Sequence, residues 1–306
     1  MNVVSVESVT KRYGSALAVN SVSFSIGEGC IFGLLGPNGA GKTSTIRMLN
    51  LITLPDSGTI ELFSESQKPE HQNRIGYMPE ERGLYRKLPV REQLEYLGAL
   101  RGLSTQQLKK NIDYWLERFE IENWAKKKTG ELSKGMQQKL QFIAALLHDP
   151  DLYILDEPLS GLDPINADIT DEIILELRAK GKTIILSTHR MEQVEQLCDE
   201  IALMNLGSVV IRGSLRDVKQ HSGKKMVKFI FDGDDAFVSE LSHFPVRIAE
   251  RHPNELLVEM LPSSSTRELL QYLSEKTNIV TWQTIETPLK EIFLEAINGN
   301  PALSQN

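Results

Sequence analysis

The chain has 306 residues, 41% apolar and 25% charged, which suits an ordinary globular protein with one large α/β domain and a smaller companion. Its formal net charge of −7 argues against nucleic acid as the main partner, because neutralising phosphates takes a basic surface. No apolar run approaches the roughly 20 residues of a membrane-spanning helix, and no leader pattern follows Met1, so any membrane role is expected to be borrowed from another polypeptide.

Residues 2–26 alternate apolar and polar side chains (VVSVESV, then LAVNSVSFSI), which predicts antiparallel strands. The apolar run CIFGLLG (30–36) predicts a buried strand and TSTIRMLNLI (43–52) a helix, with GPNGAGKT (36–43) between them. Next come a turn and short strand in TLPDSGTIEL and another strand in RIGYMPE (74–80). The pattern is then helical from about Lys87 to Leu147, in REQLEYLGALRGL, LKKNIDYWLERFEI and KGMQQKLQFIAALL. DLYILDEP (151–158) predicts a buried strand ending in two acids. The following helix is read with Ile165, Ile169, Ile173 and Leu177 on one stripe and Gly181 as its stop. KTIILSTH predicts one more buried strand, and MEQVEQLCDEIALMNLG a helix and a strand. Cys30 and Cys198 lie in apolar segments, so buried free thiols in a reducing compartment are expected.

The glycine-rich motifs cease beyond about Val218. The segment 219–306 predicts a small α+β accessory domain: strands in KKMVKFIF, VRIAE and NELLVEML, a capping box at Ser265–Glu268 ahead of a helix, a strand in NIVTWQTIE, and a final helix opened by Thr287–Pro288. The tail after Asn298 is expected to be disordered.

Two constellations carry chemistry. The first is G-x-x-x-x-G-K-[ST], set by Gly36, Gly41, Lys42 and Thr43 between strand and helix. In that context backbone N–H groups form an anion nest at the positive end of the helix. Lys42 can reach β- and γ-phosphates, and the Thr43 hydroxyl can ligate Mg²⁺. The second is Asp156–Glu157, which a strand delivers to the carboxyl end of a parallel sheet. There Asp156 would hold Mg²⁺ and Glu157 would act as general base toward water. His189, after another buried strand, could donate to a γ-phosphate.

The sequence ELSKGMQQK (131–139), placed between these two, decides the reading. Together the motifs resemble the ATP-binding cassette family over residues 1–218. GPNGAGKT matches its Walker A loop, LYILDE Walker B, SGLD (160–163) the D-loop, STH the His switch, and LSKGM the signature at Leu132, Ser133 and Gly135. The resemblance implies a P-loop NTPase fold with a RecA-like core, an antiparallel β subdomain and a helical subdomain. It implies ATP with Mg²⁺ as ligands, held by Gly36, Pro37, Asn38, Gly39, Ala40, Gly41, Lys42, Thr43 and Ser44. Tyr13 would stack on adenine; a core tyrosine is the alternative. Two cassettes are expected to pair head to tail, so that Ser133, Lys134, Gly135 and Asp163 meet a nucleotide held by the other chain. The implied role is the energising subunit of a transporter, an exporter of the sodium- or drug-efflux kind, docked on a separately encoded permease at the cytoplasmic membrane face. A soluble relative acting on nucleic acid or ribosomes is the rival, and it fits the single cassette and negative charge less well.

Three residues depart from the family pattern. Lys134 and Met136 replace a glycine and a glutamine of the signature, and Glu80 stands where the Q-loop glutamine is expected. Glu80 can still ligate Mg²⁺ but adds negative charge beside Asp156 and Glu157. Lys134 either offsets that charge across the dimer or points to solvent.

Overall fold

The structure is a computed structural model that describes residues 1–80, 83–222, 225–261 and 264–297. The chain divides into two compact units, Met1–Leu215 and Arg216–Asn306. The first unit opens with β1 (Asn2–Tyr13) and β2 (Ala16–Gly27), followed by β3 (Ile31–Leu35), α1 (Lys42–Leu49), β4 (Ser57–Leu62), β5 (Glu65–Ser66) and β6 (Ile75–Met78). A helical stretch holds α2 (Val90–Ala99), α3 (Thr105–Arg118) and α4 (Lys134–Leu146). It leads to β7 (Leu152–Asp156), α5 (Pro164–Ala179), β8 (Thr183–Thr188), α6 (Met191–Leu197), β9 (Glu200–Asn205) and β10 (Ser208–Ser214).

Two sheets organise this unit. One is antiparallel, in the order β2-β1-β4-β5; the other runs β10-β9-β3-β8-β7-β6, parallel from β9 to β6 with β10 antiparallel at the edge. The alternation read in 2–26 accounts for the first sheet, where Val4, Val6 and Val9 face inward. In the second sheet, every residue of β3, β7 and β8 is buried, as expected of parallel strands covered on both faces. A continuous core joins the two, with Ile26, Phe32, Leu34, Ile154 and Ile185 at its centre and Phe24 stacked on Phe32 at 5.2 Å. Each such side chain contributes about 1.5–3 kcal/mol when fully removed from water. The register sets the site: Asp156 lies opposite Ser187, and Leu35 opposite Thr188. The carboxyl ends of β3, β7 and β8 therefore finish side by side.

Two expectations need correcting. The stripe on α5 does not begin at Ile165, which is 74% exposed; the buried face is Thr170, Ile173, Ile174 and Leu177. Ile165 sits in the first turn, where the helix has not yet reached the core. The capping box at Ser265 forms by one arm alone. Ser265 Oγ accepts from Glu268 N at 3.3 Å, and the return bond is not made. A complete box is found elsewhere, at Ser104 and Gln107, where it opens α3.

The second unit contains most of α7 (Leu215–Ser222), then β11 (Lys225–Asp232), β12 (Val246–His252), β13 (Glu255–Met260), α8 (Thr266–Lys276), β14 (Asn278–Glu286) and α9 (Leu289–Ile297). Its antiparallel sheet runs β12-β13-β11-β14. Val227, Phe229, Phe231, Leu256, Val258, Leu269 and Leu273 form its core, and Trp282 stacks on Phe229 at 5.8 Å. The tail after Asn298 lies outside the described residues.

Candidate functional site

The loop between β3 and α1 folds as it does because glycine is required at its ends. Gly36 has φ +147°, and a Cβ there would lie 2.3 Å from the Met204 carbonyl; Gly41 has φ +105° and would meet the Ala18 carbonyl at 2.5 Å. Gly41 caps α1 without a side-chain hydrogen bond. The first N–H groups of the helix are thus left to an incoming anion. Lys42 folds back over the loop, and its ammonium donates to Gly36 O at 2.7 Å and Pro37 O at 3.2 Å. Burial pulls its pKa down, while Glu157, Asp156 and Glu80 pull it up.

A cleft of about 390 Å³ lies over this loop, lined by Ala18, residues 38–44, Glu80, Asp156 and Glu157. One ammonium therefore shares it with three carboxylates. Asp156 Oδ2 accepts from Thr43 Oγ1 at 3.2 Å, while Asp156 Oδ1 is buried with no hydrogen-bond partner. Burial raises the pKa of Asp156, and the negative charges of Glu80 and Glu157 add to the rise. Among the residues lining the cleft, negative charge outnumbers positive.

Glu157 stands just past the end of β7 with its residue 8% exposed and φ +52°. A non-glycine residue seldom takes that conformation, which costs of order 1–3 kcal/mol and is held by surrounding contacts. Its N–H donates to Ser187 O at 2.9 Å. His189 Nδ1 donates to its Oε1 at 2.7 Å, which fixes both the tautomer and the direction of the carboxylate. His189 itself is more than half exposed at the side chain. So the expected base and the expected switch histidine touch.

The other expected residues stand apart from this cleft. Tyr13 is 43% exposed at the end of β1, which excludes the core-tyrosine alternative, yet it does not line the cleft. Ser133 caps α4, its Oγ accepting from Met136 N at 3.3 Å. Lys134 begins that helix, and its methylenes run past Gly161. Asp163 caps α5 by accepting from Asn166 N at 3.1 Å, and the Asn166 bonds hold its carboxyl below the usual range. Sequence reasoning missed Gln138, a buried amide of α4 that donates to the carbonyls of Glu157 and Pro158. Its spacing gave no hint, since the residues one turn away on the helix are Lys134, Gly135, Gln141 and Phe142.

A nucleotide-binding loop, a strand-end acid pair and a capped helix between them define a P-loop nucleotide hydrolase. Residues 19–160 match the ABC transporter family, and residues 213–297 match the family described as ATP-binding protein DrrA1-3-like, C-terminal domain. The uncharacterized ABC transporter ATP-binding protein YhaQ of Bacillus subtilis (strain 168) is 40% identical over 97% of this chain and 99% of its own length. Nod factor export ATP-binding protein I of Ralstonia nicotianae is 35% identical over 90% and 91%. A solved ATP-binding subunit of an ABC transporter superposes with a TM-score of 0.67 at 32% identity, covering 71% of this chain and 92% of that one. The chain belongs to the ABC transporter ATP-binding proteins. It is accordingly an ATPase, the ATP-binding and ATP-hydrolysing subunit of a transporter. The solved cbiO1 of Clostridium perfringens, described as part of the ABC transporter complex cbiONQ, superposes with a TM-score of 0.62 at 26% identity, covering 71% of this chain and 90% of that one. Among the described residues no helix is long and apolar enough to cross a membrane.

Proposed function

We propose that this chain energises an exporter, with hydrolysis carried out by Glu157 on ATP gripped by the loop Gly36–Ser44. The observation that carries the reading is the meeting of Lys42, Thr43, Asp156 and Glu157 in one cleft, with His189 bound to the Glu157 carboxylate. Lys42 would leave the Gly36 and Pro37 carbonyls for the β- and γ-phosphates. Glu157 would take a proton from the attacking water, and His189 would keep its carboxylate aimed.

The orphaned Asp156 Oδ1 beside the Thr43 hydroxyl, in a cleft with three carboxylates, suits a small hard cation with oxygen ligands. Mg²⁺ would be held there by Thr43 and Asp156, with Glu80 as a further oxygen, and would supply neutralisation of phosphate charge. Ser133, Lys134, Gly135 and Asp163 do not line this cleft, which favours their serving a nucleotide on a second, head-to-tail cassette. Tyr13, exposed at the end of β1, would stack on adenine. Export is favoured by the relatives named for Nod factor export. The partner would be a permease, and the chain would sit at the cytoplasmic face of the membrane. Residues from about 219 onward form the accessory domain in this reading.

The test is size-exclusion chromatography of Glu157→Gln with ATP and Mg²⁺. The proposal expects a dimer that reverts to monomer when nucleotide is removed; monomer throughout would contradict the head-to-tail arrangement for the isolated subunit.

A further inference from the structure

The backbone of Glu157 is held more firmly than its strained φ would suggest. Its carbonyl accepts from Ser160 N at 3.1 Å and from Gln138 Nε2 at 2.8 Å. The same amide nitrogen donates its second hydrogen to Pro158 O at 3.2 Å. Both hydrogens of a rigid planar group are thus spent on two successive carbonyls, which fixes orientation as well as distance. One bond alone would leave a pivot.

Gln138 belongs to α4, whose first turn holds Ser133, Lys134 and Gly135. That turn touches the same segment again at Gly161. A Cβ added to Gly135 would meet Gly161 O at 2.7 Å, and the Lys134 methylenes come within 3.4–3.6 Å of the place a Cβ on Gly161 would take. The segment 157–161 is therefore gripped by α4 at both ends. Gln138 is 3% exposed, so water does not compete readily for these bonds, and their loss would leave buried carbonyls short of a donor.

We propose that Gln138 is a positioning residue for hydrolysis, tying the backbone of Glu157 to the helix that opens with Ser133 and Gly135. The proposal rests on the reading of Glu157 as the base. A shift in the first turn of α4, such as a phosphate bound at its N-terminus would cause, is transmitted to Glu157 by this amide. Small displacements of a reacting group are costly in rate, so the coupling acts on turnover and leaves ATP affinity alone.

A double-mutant cycle tests it, with labelled-ATP binding and single-turnover hydrolysis measured on the full chain. Gln138→Met keeps the volume and removes both donors. It should slow hydrolysis by roughly 10- to 100-fold with ATP affinity unchanged within about twofold. In a Glu157→Gln background the same change should cost nothing further, because a residue that acts through Glu157 has nothing left to position. Gln138→Glu, equal in shape but opposing the two carbonyls with an acceptor, supplies the same comparison if the Met variant does not fold. Hydrolysis by Gln138→Met at the parent rate, or a full additional loss in the Glu157→Gln background, overturns the proposal. Near-parent hydrolysis by Glu157→Gln on its own overturns the reading of Glu157 as base, and the proposal with it.

Discussion

Replacing Gly36 by alanine separates backbone strain from steric overlap. The new methyl would sit at φ +147° and 2.3 Å from the Met204 carbonyl, with the Ala40 Cβ at 3.0 Å. The carbonyl cannot retreat freely, because β9 is pinned to β3 by the parallel ladder pairing Leu35 with Leu203. Strain costs about 1–3 kcal/mol and overpacking about 1–3 kcal/mol more, which sums to about 2–6 kcal/mol. Gly39→Ala is the control: its φ is +81° and a Cβ meets nothing within 4 Å, so only the left-handed cost of about 1–2 kcal/mol applies. The two cysteines of the chain, Cys30 and Cys198, are both buried in the first unit. Thiol labelling against urea concentration therefore reports unfolding of that unit alone. The midpoint for Gly36→Ala should fall well below that for Gly39→Ala. Equal midpoints would refute the claim that this loop is pressed against β9.

Three more outcomes follow from the geometry. His148 donates from Nε2 to Ile75 O at 3.1 Å, and burial, helped by the Arg101 charge, lowers its pKa from 6.5 to about 4. The native state therefore stays neutral where the unfolded chain takes up a proton. The resulting stability is complete above about pH 6.5 and is lost as pH falls toward about 4. It amounts to at most about 3 kcal/mol, less for a ring partly in contact with water. His148→Gln should flatten the thiol-labelling midpoint between pH 7 and pH 5, and an unaltered slope would refute it. Glu80→Gln removes one of the charges that raise the pKa of Asp156, so the acidic limb of the pH–rate profile should move to lower pH; an unmoved limb would place Glu80 outside the chemistry. Deleting residues from about 220 onward should leave ATP affinity intact, because every residue lining the cleft lies before that point; loss of binding by a folded truncation would show that the accessory segment helps build the site.

The glycine-lysine loop was legible because its constraint is local. Gly36 and Gly41 are demanded by backbone geometry that no other residue tolerates, and Lys42 and Thr43 follow at fixed spacing. The strand-end acids were legible for a similar reason, since an apolar run ending in Asp156–Glu157 has one sensible place in a parallel sheet. The partnership of His189 with Glu157 was not, because it depends on β7 and β8 being neighbours. Gln138 was still less visible: its function lies in a contact made 19 residues away, and periodicity offers no account of a glutamine facing inward. Asp163 carried a local signal that went unread as such, an aspartate followed by proline at a helix start. Ile165 misled in the opposite direction, since apolar spacing does not say where along a helix burial begins.

The most direct test of the account measures ATP affinity and hydrolysis rate side by side in Lys42→Ala and Glu157→Gln. If Lys42 grips the phosphates and Glu157 serves the attacking water, the two changes should part company. Lys42→Ala should lose ATP binding, because the phosphates lose the one lysine lining the cleft among the described residues. Glu157→Gln should bind ATP as the parent does, with the His189 contact still available to its amide oxygen, and hydrolyse it about 10²- to 10⁴-fold more slowly. Equal loss of affinity in both variants, or hydrolysis by Glu157→Gln near the parent rate, would contradict the division of labour between the loop and the strand-end acid.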